Sequence, residues 1–412
     1  MSRINRMRSV GLLACAGFAL VCWRATSFGQ GVPGSSQVPG TYGYVLRTWY
    51  YPVQADSQSC PKQSVGSLEL FEQSLSEAER AQYGGPANRE KLIKLMAERL
   101  GLKNVRLAGT MRAENVDPAE LDRLRAEAGI APGKGALVSL GSRLAYDTCT
   151  NPEDFPQFNR GNQIFLGKVS IGANLDGRDS KGDFTGPDGT KGIDNNLVRA
   201  TGCNLGVKDY GDSKLAEKSL RSQTAPTVIE LSGADSFVND DEVTLRVHAT
   251  AQSVEVAANG DALSFASMDV DPDPRYSAEV KAKIVGGVLT TEPFAFTMRQ
   301  KESVVETYNG FIDMRFSIRF NPDGTMNGEA FGYQTLDSLD YTYHHFSQNA
   351  ADFSATSCPA MVSAIHSLAD GGRDPRTGRF TAISSAFRFS AVPVFLIHPG
   401  GSAATASSGA SK

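Results

Sequence analysis

Two kinds of apolar spacing divide this chain. Within residues 159–346 side chains alternate with a period of two. Val243, Leu245, Val247 and Ala249 are interleaved with Thr244, Arg246, His248 and Thr250. Ile312, Met314, Phe316, Ile318 and Phe320 are interleaved in the same way with Asp313, Arg315, Ser317 and Arg319. Such alternation places one face of an antiparallel strand in a core and leaves the other wet. Val280, Ala282 and Ile284, then Phe294, Phe296 and Met298, supply further strands. Asn321-Pro322-Asp323-Gly324 is a turn, because proline fixes φ and glycine accepts a positive one. It joins the Ile312 run to Thr325–Tyr333 as a hairpin. This region is predicted to be an antiparallel β-sandwich or an open barrel.

The flanks are mixed. Tyr42 to Val53 suits a buried strand. Ser76 with Glu79 three residues on reads as a capped helix start, stopped by Gly84-Gly85. Pro86 then opens a helix with Leu92, Leu95, Met96 and Leu100 on one face, and Asp117-Pro118-Ala119-Glu120 starts another, ended by Gly129. Towards the C-terminus, Met361, Val362, Ile365 and Leu368 fit one helix face before Gly371-Gly372, and Phe387 to Ile397 reads as strand. The expected fold class is α+β and β-rich. A mixed α/β region spans 41–158, the central β domain 159–346, and a helix–strand segment 347–399. Residues 30–40 are a flexible lead-in and 400–412 a disordered tail.

Charge changes the picture at the N-terminus. The 412-residue chain has a formal net charge of −4, yet its first 29 residues hold Arg3, Arg6, Arg8 and Arg24 and no acid. With the uncharged run from Val10 to Trp23 and the small residues Ala25-Thr26-Ser27, residues 1–29 read as a secretory signal peptide. The run is shorter than the roughly 20 residues a spanning helix needs, and no later stretch approaches that length. Leu12-Leu13-Ala14-Cys15 offers a lipoprotein alternative with Cys15 as the anchor. The remaining chain is acidic and lacks a basic block, which argues against nucleic acid as its partner. Export to the periplasm or beyond agrees with four widely spaced cysteines, Cys60, Cys149, Cys203 and Cys358, none in a C-x-x-C pair. Two structural disulfides are expected, Cys60 with Cys149 and Cys203 with Cys358.

The stretch 174–196 is the most unusual. It carries Asp176, Asp179, Asp183, Asp188 and Asp194 among five glycines. Hard oxygen donors on a glycine-permitted loop are what calcium requires, so calcium is the expected cofactor, with Asp176, Asp183, Asp188 and Asp194 as ligands. The alternative is a polar loop stabilised by Asx-turns, since the spacing is not that of an EF-hand. Leu175-Asp176-Gly177, Asp183-Phe184, Pro187-Asp188-Gly189, Gly192-Ile193-Asp194-Asn195 and Asn239-Asp240-Asp241 together resemble a motif of uncharacterised secreted bacterial proteins. There Gln usually stands where this chain has Asn196. The resemblance covers about residues 165–250 and implies an exported β-rich module, with no activity attached.

Other chemistry is sparse. Asp340, His344 and His345 lie close in sequence and could form a metal or acid–base group, although Tyr341, Tyr343 and Phe346 favour an aromatic strand edge. His366 falls near the apolar face of its predicted helix. Asp269, Asp271 and Asp273 alternate with Val270, Pro272 and Pro274, as a carboxylate pair or a stiff solvated loop. No nucleophile elbow, zinc helix, phosphate loop or dinucleotide fingerprint is present. The expected function is a binding or structural module of the cell envelope or extracellular space, with carbohydrate or an envelope protein as partner. The alternative is a carboxylate-dependent hydrolase acting on polysaccharide or another envelope polymer.

Overall fold

The alternating runs close on themselves. The computed structural model describes residues 40–53, 58–100, 148–149, 152–204, 207, 226–302, 305–345 and 356–399. The strands are β1 (Thr41–Tyr50), β2 (Thr227–Ser232), β3 (Asp240–Ala249), β4 (Ser267–Asp269), β5 (Ala278–Val285), β6 (Val288–Thr291), β7 (Phe294–Glu302), β8 (Val305–Phe320), β9 (Met326–Thr335) and β10 (Ala382–Ile397). Eight of them form a ring in the order β1-β2-β3-β5-β6-β8-β9-β10, and β1 pairs back onto β10. Every pairing in the ring is antiparallel. β7 runs along β8 beyond β6, and β4 adds parallel to the end of β10. The domain is therefore a barrel, one closed sheet rather than an open one or two stacked sheets. β1 and β10, assigned from sequence to flanking regions, are staves of it. Both were legible as strands; only their pairing, across more than 300 residues, was invisible.

Inward residues fill the barrel. Leu231, Leu245, Ile284, Leu289, Met314, Ile318 and Met326 are fully enclosed. At one end the Trp49 ring stacks on Phe387 at 4.7 Å and Phe389 at 5.7 Å, with Phe311 and Phe316 against it. Each such side chain removed from water contributes about 1.5–3 kcal/mol. One expectation fails here. A bulge between Ile312 and Arg315 breaks the alternation of β8, so Phe311 rather than Ile312 joins the inward row. Asp313 sits in the bulge at φ +50°, a region that aspartate tolerates better than most residues. The hairpin turn behaves as expected: Gly324, at φ +85°, donates to the Asn321 carbonyl.

Two long insertions leave the barrel at the same end, because Tyr50 and Thr335 both pair near the start of β10. The first, between β1 and β2, holds α1 (Ser67–Ser74), α2 (Glu77–Tyr83), α3 (Arg89–Arg99) and α4 (Asn196–Thr201). The expected capping box of Ser76 and Glu79 starts α2. Leu68, Phe71, Leu92, Met96 and Phe158 form its local core. The second insertion holds α5 (Leu336–His345) and α6 (Cys358–Ser367). His344 and His345 therefore lie on a helix, not on a strand.

The four cysteines among the described residues are all paired, but in a different connectivity from the expected one: Cys60 with Cys203 and Cys149 with Cys358, at Cα separations of 5.5 and 5.0 Å. Cys60 and Cys203 flank the small core of Phe165, Phe184, Ile193 and Val198, which draws them together. Helix α6 packs on the turns at 152–161, and so carries Cys358 to Cys149. No helix among the described residues is long and apolar enough to cross a membrane. The expected signal peptide at 1–29, the Cys15 box, the helix at 117–129 and the tail at 400–412 lie outside the described residues.

Candidate functional site

The register of four neighbouring strands builds a polar groove on the outer wall of the barrel. Residues that alternate with the core face outward, and cross-strand pairing lines them up in two rungs. One rung runs Ser317, Glu329, Arg388, Tyr50; the next runs Arg319, Asn327, Ser390, Thr48. Together with Arg47 they line a groove of about 570 Å³. Its floor is thin at Gly328, where a Cβ would stand 2.3 Å from the Phe389 ring. The wider residue would have to displace that core ring, so glycine is required there by close approach.

Within the groove, Arg388 Nε donates to Glu329 Oε1 at 3.0 Å. The Thr48 and Ser390 hydroxyls are bonded at 2.7 Å, and Arg47 Nε donates to Ser390 Oγ at 3.4 Å. Arg319 is exposed and forms no hydrogen bond or ion pair among the described residues. Among the described residues that line the groove there are thus three guanidinium groups and one carboxylate, on a chain whose formal net charge is −4. Forked guanidinium donors beside a row of hydroxyls suit a ligand that is both hydroxylated and anionic.

The Asp/Gly stretch folds as a small module on the neighbouring surface, held by bridges Val169 to Thr185, Ala173 to Asp194 and Phe184 to Ile193. Its aspartates cap backbone N–H groups. Asp176 accepts from Arg178, Asp183 from Ser180, and Asp188 from Thr190, which keeps the Asp188 carboxyl below its ordinary range. Asp194 accepts from Leu175 and Asp176. Burial, opposed by those two N–H groups and aided by the charges of Asp176 and Asp183, raises Asp194 to about 6. The Arg199 guanidinium lies 4.0 Å over the Phe184 ring and donates to the Phe165 and Gly182 carbonyls.

Helix α4 docks this module on the barrel. Asn195 caps the helix, and Asn196 donates to Asp370, which also accepts from the Ser384 N–H on β10. Burial raises the Asp370 carboxyl. Tyr333 between them is pushed up to about 12, first by burial and then by Asp370, Asp194, Asp176 and Asp313. Asp176 and Asp183 thus lie near enough to Asp194 to act on it electrostatically. Among the described residues, no three His, Cys, Asp or Glu side chains are grouped as a bound metal ion requires.

The remaining sequence candidates separate. Asp340 pairs with His366 on α6 at 2.8 Å, a hydrogen bond that raises the histidine. Asp271 is bound to Arg299 at 2.6 Å and Asp273 to Arg275, so the two carboxylates are tied to different partners. The groove residues were missed because Arg47, Arg319 and Arg388 are far apart in sequence, and each looks like an ordinary solvent-facing position. No protein-family model, curated protein or solved structure matches this chain.

Proposed function

We propose that the chain is an exported binding module of the cell envelope or extracellular space, and that the groove over β8, β9, β10 and β1 takes an anionic carbohydrate. The observation that carries this reading is the pair of register-aligned rungs, with three arginines, one carboxylate and several hydroxyls around about 570 Å³. Charged hydrogen bonds of this kind contribute about 1.5–3 kcal/mol each. Export is supported by the arginine-led apolar start of the sequence and by two disulfides. The two-carboxylate hydrolase has less support, since the described residues lining the groove include one carboxylate, Glu329, already paired with Arg388.

The test is calorimetric titration with acidic and neutral oligosaccharides. Uronate-bearing chains should bind and their neutral counterparts should not. Arg319→Ala should weaken binding roughly 10- to 100-fold, in line with one lost charged contact, and added salt should weaken it further. Equal affinity for neutral and acidic chains, or an unchanged affinity in Arg319→Ala, would sink the reading.

A second reading concerns the Asp/Gly module. We propose that calcium orders it through Asp194 with Asp176 and Asp183, supported by the negative charge that both of these place on Asp194. The ion would have to draw them closer than they stand. Asp188 is not among the charges that bear on Asp194, which makes it a less favourable ligand than the sequence suggested. Millimolar calcium should raise the unfolding temperature at pH 7, and a chelator should reverse the shift. An unfolding temperature indifferent to both leaves only a turn-rich polar module.

A further inference from the structure

On the far side of the barrel, β2, β3 and β5 assemble a second group of reactive side chains. Val228 pairs with His248 and Val247 with Ala278, so Ser277, just before Ala278, stands beside His248 on the outer face. Ser277 is an exposed residue, and its hydroxyl lies 2.9 Å from His248 Nδ1. The histidine itself is only 7% exposed, and its Nε2 is enclosed without a hydrogen-bond partner among the described residues.

We propose that Ser277 and His248 form a nucleophile–base pair that hydrolyses carboxylic esters carried on a large body such as an acylated polymer. Enclosed polar atoms are almost always paired, and one left unpaired marks a ring kept for something other than filling space. Among the described residues, Ser277 alone hydrogen-bonds this ring. Burial lowers the His248 pKa, so it is neutral at pH 7 and able to take a proton. Three charged or titratable groups bear on it. Glu230 on β2 favours the imidazolium, whereas Arg246 on β3 and His398, its ring 5.7 Å away, oppose it. Glu230 is itself fixed by Arg246 at 3.2 Å and His398 at 2.6 Å. Glu230 makes no hydrogen bond to the ring and acts on it through space, where its charge favours the cation formed during proton transfer. Ser277 follows the short turn Pro274–Tyr276 on an outward face, which suits an ester presented by a polymer.

The step balances with water as the sole co-reactant. Ser277 Oγ attacks the ester carbonyl carbon, and its proton passes to His248 Nδ1. The tetrahedral adduct expels the alcohol, which takes that proton, and leaves an acyl group on Ser277. Water, deprotonated by His248, then releases the acid and restores the serine.

The test uses the full chain lacking the signal segment, exposed to an alkyl fluorophosphonate and separately to p-nitrophenyl acetate. Peptide mapping should place the phosphonyl group on Ser277, and ester hydrolysis should accompany it. Ser277→Ala, an exposed change that leaves the sheet intact, should lose both. His248→Gln should slow phosphonylation by about 10²-fold or more. Labelling should also fall as pH is lowered through the histidine titration. Absence of labelling in the unaltered chain, or labelling and hydrolysis retained in Ser277→Ala, overturns the proposal.

Discussion

Asp194 shows how one side chain can both hold and strain its surroundings. Its carboxylate receives the Leu175 and Asp176 N–H groups, which favour the charged form, yet burial outweighs them and raises it to about 6. An unfolded aspartate titrates near 3.9. Between about pH 4 and about pH 6 the folded chain therefore holds a proton that the unfolded chain has lost. Its contribution to stability is fully present below pH 4 and is lost as pH rises through about 6. Asparagine at this position keeps an oxygen for the two N–H groups and cannot ionise. The stability difference between Asp194→Asn and the unaltered chain should thus be constant below pH 4 and shift in favour of the variant from pH 4 to 7. Urea unfolding across that range reads it directly, and Asp370, present in both proteins, cancels. A difference that does not vary with pH would mean the carboxylate is not titrating in this window.

At the scale of elements, legibility followed the locality of the signal. The capping box of Ser76 and Glu79, the Asn321-Pro322-Asp323-Gly324 turn and the alternation of Val243 to Ala249 are written within a few residues, and each formed as read. Helix α1 escaped because Gly66 caps it without a side-chain bond. Helix α5 was misread as strand from its tyrosines, although Thr335 accepting from the Ser338 N–H is a start signal present in the sequence. The bulge at Asp313 was hidden because one extra residue leaves no compositional trace. The groove needed both the outward rows and the neighbour order of four strands. Arg315, Ser317 and Arg319 were legible as outward, but that β10 lies between β1 and β9 is a tertiary fact. The Ser277 and His248 pair was hidden for the same reason, since their strands meet across the long β3–β5 connection.

Among the described residues, the barrel carries at one end a stapled cap formed by its two insertions. Cys60–Cys203 closes the first insertion on itself, whereas Cys149–Cys358 ties the first insertion to the second. Beside the latter bridge, Thr148 donates to Ser67 and Ser67 to Ser357, a buried hydroxyl chain that again links the two insertions. The barrel needs neither bridge, because its ring of strand pairs is closed by β1 on β10. Loss of a native disulfide costs about 2–5 kcal/mol, and here that loss should fall on the cap. A convenient reporter exists: the sequence has two tryptophans, Trp23 and Trp49, so Trp49 is the sole one from residue 30 onward, and its ring is packed against Phe387 and Phe389. With Cys149 and Cys358 both replaced by serine, helical circular dichroism should melt in urea before Trp49 emission shifts to the red. With both bridges intact the two transitions should lie closer together. Coincident transitions in the double variant would show that cap and barrel unfold as one cooperative unit, and that the staple supports the whole fold rather than its lid.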